Sequence, residues 1–448
     1  MSKDRKKIAA GLTRREALTG AAATLGVGLA AGGSASARAG EPVAATLPGA
    51  KMCILTPEAV EGPFYFDPKL VRADITEGHQ GASLALALRG SGLVVGLLEP
   101  RAPRAAQADP RPVALSHGSR LILERLGVWE LLAPATPIRR IHVSQRGGFG
   151  RVELDAAEAR LPALGYVVDY GRLAVSLETA LETAGGCRVI RAAVTGSHAE
   201  PEAVSAQFDA GRGPEQATAR LLAVADGGAL TSAQAQVHDY GQAAVTARVA
   251  CGAPHQGVAY ERFTPEGPLA LLPMGGMLAL IWTTTPDSAQ QLCALPEAGF
   301  LERLQRAFGG RLGAFSGAGA RAWFPLALKT TARIAEPRTV ALGNAAQTLH
   351  PVAGQGFNLG LRDAWELAQA VHTSSRDEIG TAGQIRAYRE QRRLDRGGGI
   401  WFTDMLVRLF SNDIAPLRIA RGLGLAALGA VPPARDFVVR RMTFGTRG

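Results

Sequence analysis

The chain has 448 residues, enough for two or three domains, and its 47% hydrophobic and 20% charged residues describe an ordinary globular protein. Four scattered cysteines (Cys53, Cys187, Cys251, Cys293) with no CxxC pair argue against a disulfide framework and against a zinc site. Net charge is +10, but residues 1–40 carry seven Lys/Arg against two acids and residues 386–448 twelve Arg against five, which leaves the middle at about −2 and excludes a nucleic-acid-coating protein.

Residues 1–40 read as a targeting segment. Lys3, Arg5, Lys6 and Lys7 precede Thr13-Arg14-Arg15-Glu16-Ala17-Leu18, then an Ala/Gly stretch to Ala31 and the small residues Ala35-Ser36-Ala37. This resembles a twin-arginine export signal, with Ala17 where that signal prefers Phe. The stretch is too short and Gly-rich to span a membrane. Residues 41–75 read as a leader and linker. The run from Met52-Cys53-Ile54-Leu55-Thr56-Pro57 to Gly78 resembles the leader of exported intradiol ring-cleavage dioxygenases, which bind ferric iron through two Tyr and two His. His117, His142, His198, His238, His255, His350 and His372 are isolated, with none at ligand spacing with a Tyr. The iron chemistry is therefore expected to be absent, and Tyr65 to be a packing aromatic.

The next elements follow one another in an order that suits a parallel sheet. A first strand is expected at Val71–Ile75, broken by Arg72 and Asp74, before Thr76-Glu77-Gly78-His79-Gln80-Gly81. That hexapeptide keeps the second and third glycines of GxGxxG, Gly78 and Gly81, with Thr76 in place of the first. Ala82–Leu88 reads as a helix and Leu93–Leu98 as a buried strand ending at Glu99, where a carboxylate can accept from a ribose. Asp109-Pro110-Arg111-Pro112 leads to an amphipathic helix over Arg120–Trp129. Leu221–Ala225 reads as a strand ending in Asp226-Gly227, which by itself is also a plain turn signal. Strands are expected over 246–250, 257–263, 269–274 and 277–283. Finally Thr339–Leu342 enters Gly343-Asn344, a loop containing Pro351 and Gly354-Gln355-Gly356, and a helix from about Asn358. Gly354 and Gly356 remove Cβ atoms where a backbone must approach something closely.

From about residue 78 to its end the chain resembles the ubiquinone-biosynthesis FAD hydroxylases, the 2-polyprenyl-6-methoxyphenol hydroxylase family of single-component flavin monooxygenases. Gly343–Ala364 resembles that family's second flavin motif, and Tyr260-Glu261-Arg262-Phe263-Thr264-Pro265-Glu266-Gly267-Pro268 closely resembles a stretch of its members. The resemblance implies an α/β fold: a Rossmann-like parallel-sheet FAD domain (76–137, 160–232 and 325–385), an interleaved antiparallel substrate sheet (138–159 and 233–324), and C-terminal helices (386–448). It implies FAD held by Gly78, Gly81, Glu99, Arg111, Asp226, Gly227, Gly343, Asn344, Pro351, Gly354, Gln355, Gly356 and Asn358. It also implies NAD(P)H as reductant, O2 as co-substrate, and a prenylated phenol walled by Phe263 and Pro265. No side chain identifies itself as a catalytic acid or base. The loss of the first motif glycine, with Glu77 beside the diphosphate, implies weakened FAD binding. The junction near residue 78 reads as a fusion of two genes. The alternatives are an exported ring-cleavage dioxygenase, by its leader, and an inactive fusion product. The body implies a cytoplasmic enzyme, peripheral to the inner membrane through 386–448; the leader implies export.

Overall fold

The computed structural model describes residues 53–56 and 79–447, apart from 108, 232–234 and 332–333. These residues belong to one compact unit, Ala50–Gly448. The targeting segment and most of the leader lie outside the described residues.

The first layer is a six-stranded sheet in the order Ala335–Glu336, Thr339–Ala341, Leu222–Val224, Cys53–Thr56, Val95–Leu98, Cys187–Ile190. Every pairing from Thr339–Ala341 to Cys187–Ile190 is parallel. Its centre corrects one expectation. The strand beside Val95–Leu98 is Cys53–Thr56, from the leader, and not Val71–Ile75. A central parallel strand has neighbours on both edges, a place that suits Cys-Ile-Leu-Thr better than a run carrying Arg72 and Asp74; Val71–Ile75 itself lies outside the described residues. Helix Gln80–Ala87 follows, so residues 57–79 link strand to helix where the motif would need a short turn. Thr76, Glu77 and Gly78 lie outside the described residues; Gly81 stands second in the helix and is buried.

Leu84 and Leu86 from this helix pack with Leu97, Leu222 and Leu361 into the larger core cluster. Helices Tyr170–Ala184 and Gln355–His372 contribute Leu173, Leu177 and Leu367 to the same cluster. The apolar stripe of each helix therefore faces the parallel sheet.

The second layer is a nine-stranded sheet, antiparallel apart from the pairing of Val258–Thr264 with Arg140–Gln145. Strands Ala235–Cys251, Val258–Thr264, Gly267–Met274 and Met277–Thr284 all belong to it. Helices Ala382–Phe410, Ala415–Ala430 and Pro432–Phe444 follow. Among the described residues no single helix is long and apolar enough to cross a membrane, although the bent pair from Ala415 to Phe444 passes that test jointly.

Candidate active site

In the parallel sheet, Leu55 pairs with Leu97, and Thr56, Val224 and Ala341 share one level. The residues that follow the carboxyl ends of these strands therefore meet along one edge: Glu99, Asp226-Gly227 and Gly343-Asn344. The chain leaves Cys53–Thr56 for Val95–Leu98 on one side and Leu222–Val224 on the other, and such a reversal opens a crevice for a nucleotide.

Glu99 is buried, and its Oε1 accepts from the Arg101 backbone N–H (3.0 Å) and Nε (2.9 Å), while Oε2 accepts from Arg101 Nη2 (3.1 Å). The same Nη2 lies 3.2 Å from Nδ1 of His79, the residue before the helix. His79 Nε2 is buried with no hydrogen-bond partner among the described residues. Burial, then the nearby Arg101 and Arg111 charges, hold the imidazole pKa well below its ordinary value, so the ring is neutral. Its neighbour is Tyr170, 5.5 Å between ring centroids, and the Arg111 guanidinium lies 4.6 Å from the same Tyr170 ring. Arg111 is buried against Asp109, with Nη2 to Oδ2 at 2.6 Å. A continuous polar line thus runs from Glu99 to Arg111.

Asp226 closes its own turn: Oδ1 accepts from Gly228 N–H (2.9 Å) and Oδ2 from Leu230 N–H (2.7 Å). Burial raises its pKa against those bonds. Gly227 and Gly228 have φ of 73° and 106°, conformations that only glycine adopts cheaply. The turn leans on the Gly343–Ala345 turn through Thr231 Oγ1 to Ala345 O (2.8 Å). Asp226 is therefore first a turn former, as its dipeptide alone suggests. Asp363 braces the Gly343 turn from behind, its Oδ2 accepting from Gln347 Nε2 at 2.8 Å.

The loop before helix Gln355–His372 is fixed by Asn358. Its Oδ1 accepts from Ser116 N–H (2.8 Å) and Ser119 Oγ (2.7 Å), and its Nδ2 donates to Ala114 O (2.9 Å) and Gly354 O (2.7 Å). Gly354 is left-handed at φ 59°, and a Cβ there would stand 3.2 Å from Ala114 Cβ. Gln355 and Gly356 open the helix. His350 is buried and neutral, its pKa pushed down to about 3 by burial, and its Nδ1 accepts from Val352 N–H (3.1 Å).

Beside this loop lies a cavity of about 540 Å³. Pro351, Val352 and Gly354 form one wall, the sheet residues Ile141, Val143, Ala259, Phe263 and Leu272 another, and the C-terminal helix residues Leu406, Phe410, Leu425 and Met442 a third. Phe263 stacks on Phe410 at 3.9 Å. Pro265 is a correction: it is exposed in the turn after the strand and takes no part in the lining. His79, Arg101, Tyr170 and Asp363 were not among the predicted site residues; Arg101 could have been found as the cation two positions after Glu99.

A model of the FAD-binding domain matches residues 76–396. Ubiquinone hydroxylase UbiL of Rhodospirillum rubrum is 34% identical over 381 residues, covering 81% of this chain and 87% of the relative. The 3-demethoxyubiquinol 3-hydroxylase of Escherichia coli is 31% identical over 365 residues, 78% of this chain and 92% of the relative. The chain belongs to the FAD-binding hydroxylases of ubiquinone biosynthesis. Among solved structures, p-nitrophenol 4-monooxygenase PnpA of Pseudomonas putida superposes with a TM-score of 0.66 at 16% identity, over 89% of this chain and all of that one, which shows a shared fold. The iron dioxygenase alternative gains no support from these relatives. The family match starts at residue 76, so the central strand Cys53–Thr56 comes from outside it.

The residues present fit FAD. Gly354 turns the loop left-handed against Ala114, where a Cβ would crowd it, and the buried His79 Nε2, which has no hydrogen-bond partner among the described residues, belongs to a ring tied through Arg101 to Glu99.

Proposed function

We propose that this protein is an FAD-dependent, NAD(P)H-consuming monooxygenase that hydroxylates a prenylated phenol in ubiquinone biosynthesis. The observation that carries this is the apolar cavity, which shares the Pro351–Gly354 loop with the nucleotide crevice. Bound there, FAD supplies the redox chemistry that couples NAD(P)H to O2. Glu99 holds the adenosine ribose. Gly81, Arg111 and Asp226-Gly227, with Gly78 before the helix, serve the diphosphate side. Gly343-Asn344 hold the ribityl chain, with an amide in place of a charge. Pro351 and Gly354-Gln355-Gly356 border the ring, and Asn358 keeps that loop in place. Phe263 and Phe410 close the cavity against water.

The cavity also reaches the surface. Ala420 and Gly424 are exposed and line it at once. The outer face of helix Ala415–Ala430, including Ile419, Leu423, Ala426 and Ala427, is exposed and carries no charge. Exposed Trp401 and Phe437 lie on the flanking helices, with Arg393, Arg408 and Arg440 also exposed there. Such a face suits the surface of an anionic membrane, from which a prenyl chain can enter without crossing water. This favours a cytoplasmic site at the inner membrane over export through residues 1–40; fractionation decides between them.

The test is an absorbance spectrum of the purified chain, followed by NAD(P)H oxidation with and without a short-chain prenylated phenol. A flavin spectrum, phenol-stimulated oxidation and a product heavier by one oxygen are expected. Colourless protein that takes up no FAD refutes the reading. Leu423→Glu is expected to abolish co-sedimentation with anionic vesicles while retaining turnover of a soluble phenol.

A further inference from the structure

Strand Val258–Thr264 places Ala259, Glu261 and Phe263 on one face, and all three line the cavity. Glu261 stands opposite Val143 on one neighbouring strand and Ala270 on the other, with Ile281 beyond Ala270. A carboxyl group is thus set into an otherwise aliphatic wall. Its Oε1 is buried and accepts no hydrogen bond. Burial pushes its pKa up to about 8 with no neighbouring charge to offset it, so at neutral pH it is mostly the uncharged acid.

The ionisable groups around it are occupied elsewhere. On its own strand, Arg262 donates to Ala307 O (3.2 Å) and approaches Ser144 Oγ (3.5 Å), and Tyr260 meets Phe308 edge-on. On the adjacent strand, His142 lies against Tyr260, and Arg140 pairs in register with Val258. Strands Gly267–Met274 and Met277–Thr284 contain no charged residue. From the helices, Arg421 reaches the lining, but its guanidinium donates to the carbonyls of Leu409, Phe410, Asn412 and Leu417. Asp404 is engaged by Arg408 and Tyr240.

An unsatisfied polar group in an apolar wall is costly unless a ligand completes it. We propose that Glu261 recognises the substrate's ring oxygen, its carboxyl hydrogen-bonding the phenol and so setting which ring carbon faces the Pro351–Gly354 loop. This rests on the hydroxylase reading and adds the residue that orients the ring. The protonated carboxyl both donates and accepts; once ionised it only accepts, so it keeps a phenol and rejects a ring oxygen that cannot donate.

The experiment measures binding of a short-chain prenylated phenol and of the matching prenylated benzoquinone, an acceptor only. The proteins are FAD-loaded wild type, Glu261→Gln and Glu261→Leu, titrated at about pH 6.5 and about pH 9, either side of the carboxyl's own pKa. In wild type the quinone is expected to weaken by up to about tenfold between the two, the fall in the protonated fraction of a carboxyl that titrates at about 8. Glu261→Gln is expected to bind the quinone independently of pH. Glu261→Leu is expected to bind the phenol roughly tenfold more weakly than wild type at the lower pH. Unchanged phenol affinity in Glu261→Leu, or quinone binding in wild type that ignores pH, overturns the proposal. If Glu261→Leu does not fold, the wild type and Glu261→Gln pair still decides. Glu261-dependent phenol binding without phenol-stimulated NAD(P)H oxidation supports the recognition role and removes the hydroxylase reading.

Discussion

Asn358 offers the sharpest test of how the flavin loop is held. Replacing it by Ala removes four hydrogen bonds at 2.7–2.9 Å, to Ser116, Ser119, Ala114 and Gly354. Asn358 is buried at 2% exposure, so water does not readily replace what is lost. At about 1 kcal/mol for each bond, and more for a backbone group left unsatisfied, the cost is roughly 3–5 kcal/mol. For a unit of this size that is a fall of roughly 4–6 °C in Tm. Two of the four bonds end on Ala114 and Gly354, which both line the cavity, so the loop also loses its register. Asn358→Ala should therefore copurify with less flavin, and added FAD should raise its Tm less than it raises the wild type's. Glu302→Ala, which removes an exposed i,i+4 pair with Arg306, serves as control and should change stability by about 0.5 kcal/mol or less. An Asn358→Ala protein that melts within about 1 °C of wild type and keeps its full flavin would refute the account.

Arg392 is almost wholly buried and meets Asp363 at 2.6 Å, Asp395 at 2.8 Å and Glu366 at 3.3 Å. Arg392→Met strands buried carboxylates and should cost roughly 3–5 kcal/mol in urea unfolding; a loss under about 1 kcal/mol would show that the cluster is not held by this ion pair. At Asp395 burial works to raise the pKa, but Arg362 and Arg392 outweigh it, so the folded value lies below 3.8. Its stabilising contribution is present above that value and disappears as pH falls through the folded pKa, so Asp395→Asn should flatten the acid limb of a Tm profile below about pH 4. Glu261 has the opposite sign: its pKa is raised from 4.5 to about 8, so its contribution is full below 4.5 and is lost as pH rises to 8. The Tm of Glu261→Gln relative to wild type should climb across that window and level off above it; a constant difference would mean that the carboxyl is well solvated.

Elements with strong local signals were legible in the sequence. Helix Gln80–Ala87, strand Val95–Leu98 and the four long strands of the second sheet follow from apolar runs and period-two alternation. Gly343 and Gly354 were legible because each adopts a positive φ, 56° and 59°, where other residues are strained. What stayed hidden was partnership across the chain. Nothing local marks His79 as the neighbour of Tyr170, or Asp363 as the brace behind Gly343, since those contacts exist only after the sheet brings distant segments together. Glu261 was visible inside a recognised stretch, but its meaning depends on Val143 and Ala270 flanking it, which is a matter of register.

The central strand separates what a fold requires from what a cofactor requires. A parallel sheet asks its middle strand for a few apolar, β-favouring residues with free backbone groups, and Cys53–Thr56 meets that demand from outside the family match. The diphosphate asks for something more particular: a tight glycine turn that brings strand, loop amides and helix N-terminus to one point. Here residues 57–79 stand between strand and helix in the sequence, Thr76-Glu77-Gly78 lie outside the described residues, and the helix starts at Gln80-Gly81. The two demands should therefore part company under mutation. Restoring Gly at Thr76 and removing the charge at Glu77 should tighten FAD binding with little effect on the apoprotein's melt, because the central strand is Cys53–Thr56 and contains neither residue. Equal gains in apoprotein stability and FAD affinity would mean instead that the hexapeptide also supports the fold.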